Sequence, residues 1–126
     1  LLNDLYHWLS RHRWPALLWT LLILLACSWP GRDLPSAPVA GFDKVVHIGL
    51  FVGWSFLWLV ALPGRGTWVV LAGIAYGIFL EFYQQWLPFD RSFDWWDAAA
   101  DALGVLIGYL LFYFSQRYFS VYRGEL

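Results

Sequence analysis

Charge is what this sequence has least of. Only 13% of its 126 residues are Asp, Glu, Lys or Arg, against about 25% in a typical soluble domain. A chain that is 60% hydrophobic and 21% aromatic has too little polar surface to face water on all sides, so its solvent is a bilayer. Cysteine is nearly absent as well: Cys27 stands alone, which excludes an internal disulfide and leaves the redox compartment unread. A net charge of −1 offers no basic footprint for nucleic acid, so none is expected as a partner. Internal repeats and low-complexity tracts are missing. Charge is also missing along whole segments: Arg65 is the only charged residue between Lys44 and Glu81, and none lies between Asp101 and Arg117.

What remains is apolar run after apolar run. A bilayer crossing takes about 20 residues at about 1.5 Å each. The pattern predicts four spans within a single domain, 1–126: about 14–29, 44–62, 67–87 and 95–115. Lipid offers the backbone no hydrogen-bond partners, so each span is expected to be helical, and the alternation of a membrane barrel is absent. The expected fold is an all-α membrane protein, a four-transmembrane-helix bundle with short loops. Pro15 suits a helix start, Pro30-Gly31 and Pro88 suit stops, and Pro63 to Gly66 suits a tight turn. The segment 31–42, with Pro35, Pro38 and Gly41, reads as irregular. Arg11 and Arg13 ahead of Leu24–Cys27 imitate a lipoprotein signal, but a plain first span accounts for the same residues.

Four spans place Arg11, Arg13, Arg65, Arg117 and Arg123 on one side, and Arg32, Lys44 and Arg91 on the other. The basic excess orients the termini to the cytoplasm. Trp86, Phe89, Phe93, Trp95 and Trp96 then form an outer aromatic belt, and Trp8, Trp14, Tyr118 and Tyr122 an inner one.

The same parity gathers the charges. The second span starts, the third ends and the fourth starts at one membrane level. Asp43, Lys44 and His47 therefore meet Glu81, Gln84, Gln85, Arg91, Asp94, Asp97 and Asp101. Helix spacing aligns Asp43 with His47, Glu81 with Gln84, and Asp97 with Asp101. Gly73 and Gly77 continue the Glu81 stripe, and Gly104 and Gly108 the Asp101 stripe, so close packing on these faces would converge the polar ends. Gly49 and Gly53 complete a third such spacing, but roughly opposite His47.

A carboxylate at Glu81, about 10 Å inside the helix end, costs about 3 kcal/mol unless paired. That makes Glu81 the foremost functional candidate, with a structural ion pair to Lys44 or Arg91 as the plain alternative. Asp43 and Asp94 equally suit helix N-termini. The helix dipole explains part of the tolerance of Asp97 and Asp101. His47 reads as an acid–base group, a metal ligand or a hydrogen-bonded core histidine. Lys44 also suits snorkelling to the interface.

These residues resemble the motifs of the VanZ-like family of small multi-pass bacterial membrane proteins. The resemblance rests on D-K-x-x-H (Asp43, Lys44, His47), E-x-x-Q (Glu81, Gln84) and R-x-x-D-x-x-D-x-x-x-N-x-x-G, here Arg91, Asp94, Asp97, Asp101 and Gly104. The family usually carries asparagine where this chain has Asp101. The resemblance implies a protein of the bacterial cytoplasmic membrane associated with resistance to the glycopeptide teicoplanin, and it transfers no chemistry.

Two functions are carried forward. In the first, an outward pocket of Asp43, Lys44, His47, Glu81, Gln84, Arg91, Asp94, Asp97 and Asp101 binds a membrane lipid or a lipid-linked, peptidoglycan-related precursor. In the second, the chain is a membrane enzyme on such a substrate. Glu81 or Asp97 would act as base, His47 as acid–base partner, and Lys44 or Arg91 as charge stabiliser. A metal-assisted form would draw on His47, Glu81, Asp97 and Asp101. No cofactor is legible. A transport path fits poorly, because the inner half of the spans lacks charge. Glycine faces that join chains, giving a homo-oligomer, remain a structural alternative.

Overall fold

The computed structural model describes residues 1–28, 41–87 and 93–122, with side chains to 118. All described regular structure is helical: α1 (Leu2–Arg11), α2 (Trp14–Cys27), α3 (Phe42–Ala61), a 3-10 turn (Pro63–Arg65), α4 (Gly66–Trp86) and α5 (Trp95–Tyr122). Three stretches are long and apolar enough to cross a membrane: Phe42–Ala61, Pro63–Trp86 and Trp95–Tyr118. The shorter apolar helix α2 joins them, and the result is an all-α, multi-pass membrane bundle. The expected stops at Pro30-Gly31 and Pro88 and the irregular segment to residue 40 lie outside the described residues.

Helix boundaries follow from local chemistry. Gly41 precedes α3 at φ 79°, a left-handed conformation that glycine adopts without a Cβ clash. Pro63 and Gly64 end α3 and turn the chain directly into α4. Asp94 caps α5: its Oδ1 accepts the Trp96 N–H at 2.9 Å. Asp43, by contrast, lies inside the first turn of α3 and makes no side-chain cap.

α5 packs chiefly against α3, and secondarily against α4. The Gly104–Gly108 stripe makes the first contact possible. A Cβ at Gly104 would stand 2.5 Å from the Ile48 carbonyl oxygen, and one at Gly108 would stand 2.7 Å from the Val52 oxygen. On α4, a Cβ at Gly73 would meet Val105 at 2.7 Å, and one at Gly77 would meet the Asp101 Cβ at 2.8 Å. Two of the three expected glycine faces therefore pack closely. The third does not pack as a pair: Gly49 has nothing within 4 Å of a built Cβ, while Gly53 abuts the Trp19 ring of α2. Their position opposite His47 turns them away from α5, which meets α3 through Ile48, Phe51, Val52 and Ser55 instead.

α1 was not apparent from the apolar runs. Its Tyr6 is buried, and the Gln116 side-chain amide of α5 donates to the Tyr6 hydroxyl. Its polar residues Asp4 and Arg11 are exposed, so the helix is amphipathic. Trp86, Trp95 and Trp96 at one end, and Trp8, Trp14 and Tyr118 at the other, are exposed as aromatic belts would be. Phe89, and the side chain of Tyr122, lie outside the described residues.

Candidate functional site

The starts of α3 and α5 and the end of α4 share one level, as the parity of the spans requires. They assemble two tiers of polar side chains. In the outer tier, Lys44 Nζ donates to Asp43 Oδ2 and Asp94 Oδ2, each at 2.8 Å, and closely to Asp97 Oδ1. The Lys44 ammonium bonded to Asp94, outside the spans, holds that carboxyl below its ordinary range.

In the inner tier, His47, Glu81 and Asp101 come from three different helices. Ligand atoms of the three lie within 4.8 Å of one another. His47 Nδ1–H donates to Asp101 Oδ1 at 2.7 Å. Its other nitrogen, Nε2, faces Asp97 Oδ2 at 3.8 Å, so the imidazole links the tiers. The Asp94 backbone N–H donates to Glu81 Oε2 at 3.1 Å, which ties the start of α5 to the carboxylate of α4.

Glu81 and Asp101 are both 0% exposed. Each nevertheless keeps one oxygen, Glu81 Oε1 and Asp101 Oδ2, without a hydrogen-bond partner among the described residues. Such groups are uncommon in folded proteins because burial without a partner is costly. Gly77 is what admits Asp101 so deep, since a Cβ there would stand 3.1 Å from Oδ2.

The balance of charge is one-sided. Among the described residues of the two tiers, five carboxylates face one ammonium and one imidazole. Lys44 neutralises part of the outer tier, while the inner tier has only His47. The arrangement can accept and deliver protons, or hold a cation. One nitrogen and two carboxylate oxygens suit a divalent ion of intermediate hardness.

Not every expected residue joins. Gln84 is buried, but its amide Nε2 points to the Cys27 carbonyl at 3.4 Å and bridges α4 to α2. Gln85 is exposed. Arg91 lies outside the described residues. The Glu81–Lys44 ion pair does not form: Lys44 is taken by three aspartates.

At the opposite end, a cavity of about 630 Å³ opens among Arg13, Thr20, Trp54, Trp58, Arg65 and Tyr76. Thr20 organises its wall. The Trp54 and Trp58 indole N–H groups both donate to Thr20 Oγ1, at 2.9 and 3.0 Å. Thr20 Oγ1–H donates to the Ala16 carbonyl, and the Tyr76 hydroxyl donates to the Thr20 carbonyl, each at 2.8 Å. The sequence marks Thr20 only as the one polar residue between Arg13 and Ser28. The cavity and the titratable cluster do not coincide. The cluster is the better candidate site, because the polar atoms of the cavity wall around Thr20 are matched to one another, whereas, among the described residues, the buried carboxylates are not.

Fold and site together define a multi-pass membrane protein with a histidine–carboxylate cluster sunk into one end of its helices. The chain belongs to the VanZ/LLP1 family, whose model matches residues 10–116. No curated protein and no solved structure matches it.

Proposed function

We infer that the chain is a membrane enzyme acting on a lipid-linked envelope substrate at the His47–Glu81–Asp97–Asp101 cluster. The observation that carries this is the His47–Asp101 bond beside two buried carboxylate oxygens with no partner among the described residues. Asp101 fixes the imidazole through Nδ1, leaving Nε2 to exchange a proton next to Asp97. Glu81 takes the proton of a water or hydroxyl nucleophile as its oxygen bonds to a phosphoryl or acyl centre of the substrate. The bond from that centre to its leaving group breaks, His47 protonates the departing atom, and the proton on Glu81 then restores His47. Lys44 holds Asp94 and Asp97 in place. General acid–base catalysis of this kind contributes about 10²–10⁴ in rate.

The test is purified protein in detergent with lipid-linked envelope precursors, read by mass spectrometry. Wild type converts a precursor, and His47→Gln slows the conversion at least about a hundredfold. Equal conversion by both proteins removes the reading.

The second reading, retention of a ligand without reaction, is favoured by the carboxylate excess, which suits a cationic group on an envelope precursor or on teicoplanin. It predicts changed teicoplanin susceptibility on expression, with Glu81→Ala reversing the change. In either reading the single domain crosses the cytoplasmic membrane four times, termini inside. Reporter fusions at the C-terminus and near residue 91 check this, and an external C-terminus contradicts it.

A further inference from the structure

We propose that His47, Glu81 and Asp101 hold a divalent metal ion of the zinc or manganese type. The inference deepens the reading of this cluster as a reactive site and rests on it for its chemistry: with His47 and Glu81 as ligands, an imidazole proton leaves as the ion enters, and the base role passes to Asp97, beside His47 Nε2. The two acidic groups of described residues differ in one respect. Asp43, Asp94 and Asp97 surround the Lys44 ammonium, which already occupies the centre a cation would take. His47, Glu81 and Asp101 converge just as closely with no such ammonium among them. Two of their oxygens, on side chains from which solvent is fully excluded, have no donor among the described residues.

The site is also built rather than incidental. Each ligand comes from a different helix, and Gly77 leaves room for Asp101. The Asp94 N–H fixes Glu81 through Oε2 and leaves Oε1 for another partner. One imidazole nitrogen with two carboxylate oxygens is a donor set for a borderline divalent ion, and three protein ligands leave a coordination position for water or substrate. Such an ion polarises a phosphoryl or carbonyl oxygen and acidifies a bound water. The competing account is that Glu81 and Asp101 are kept neutral by protons.

The experiment uses the full chain in detergent, stripped with a chelator and titrated with Mn²⁺ or Zn²⁺ alone. Free Mn²⁺ is followed by electron paramagnetic resonance and bound metal by elemental analysis. The expected result is about one ion per chain, with protons released on binding. Glu81→Gln and Asp101→Asn weaken it at least about tenfold, while Thr20→Val, at the other end, does not. Helicity and monodispersity are measured on each variant. Should a variant not fold, wild-type stoichiometry still decides: no binding above the detergent blank overturns the proposal. Binding lost in Asp43→Asn but retained in Glu81→Gln also overturns it. The titration contains no substrate, so it stands apart from the precursor-conversion assay: metal binding with no conversion in that assay sinks only the enzyme reading, and conversion with no metal binding sinks only the metal.

Discussion

At one end of the bundle, the Thr20 hydroxyl collects two indole N–H groups and still donates its own hydrogen, so the polar atoms under the tryptophans are matched. At the other end, Glu81 and Asp101 are wholly buried and each keeps an oxygen with no partner among the described residues. A satisfied network holds helices together, and nothing further need be asked of it. An unsatisfied one on the scale of two buried carboxylates is costly and calls for an occupant or a proton. The contrast separates a structural fastening from a candidate site within one small bundle, without reference to cavity size.

The largest expected effect lies between the two ends. Gly104→Leu drives a side chain into the Ile48 carbonyl, 2.5 Å from where Cβ would sit. Backbone cannot yield as a side-chain tip can, so the α3–α5 contact fails, at a cost of about 3 kcal/mol. Loss of monodisperse protein in detergent is the measurement, and it would take both ends with it.

Next come the changes that break the comparison at the site alone. Asp101→Asn keeps an oxygen to accept from His47 Nδ1–H, so the helices stay packed and the thermal transition is nearly unmoved. Turnover falls because a neutral amide no longer supports the charged imidazole; about tenfold or more is expected. A variant as active as wild type would mean that Asp101 acts as the amide usual in the family.

Thr20→Val tests the fastening. It strands two indole N–H groups, which lowers stability by about 1–3 kcal/mol and leaves turnover unchanged. Differential scanning fluorimetry and the product assay read the two quantities separately.

The smallest effect belongs to Asp94. Its carboxyl is held low by Lys44, so the pairing stabilises the protein above the ordinary carboxylate pKa of about 4. That stability is lost as pH falls through the lowered value. The group is partly exposed, so the Lys44 pair itself contributes little. Asp94→Asn should flatten the acid limb of the stability curve by lowering the neutral plateau slightly toward the acid value.

Much of this was legible in the letters because membrane sequence is sparing with charge. With almost no charge elsewhere in the spans, parity alone brought Asp43, Lys44 and His47 level with Glu81, Asp97 and Asp101. The stripes Gly73–Gly77 and Gly104–Gly108 announced the packing faces. The sequence did not reveal partner choice. Spacing placed Gln84 on the Glu81 stripe, but a long flexible amide reaches whichever carbonyl is free, here that of Cys27 on α2. Gly49 and Gly53 carried the right spacing on the wrong face. α1 was illegible because its apolar residues, Leu2, Leu5, Tyr6 and Leu9, recur at helical spacing rather than as a run. Thr20 was overlooked because its importance lies in two tryptophans more than thirty residues away.

The most direct measurement compares lipid-linked envelope precursors, by mass spectrometry, in cells producing wild type, Glu81→Gln and Thr20→Val at matched membrane levels. The account predicts that wild type and Thr20→Val shift the precursor profile alike, while Glu81→Gln restores the profile of cells lacking the protein. A profile for Glu81→Gln identical to the wild-type shift would contradict it, and would make the buried carboxylates a fastening like the one at Thr20.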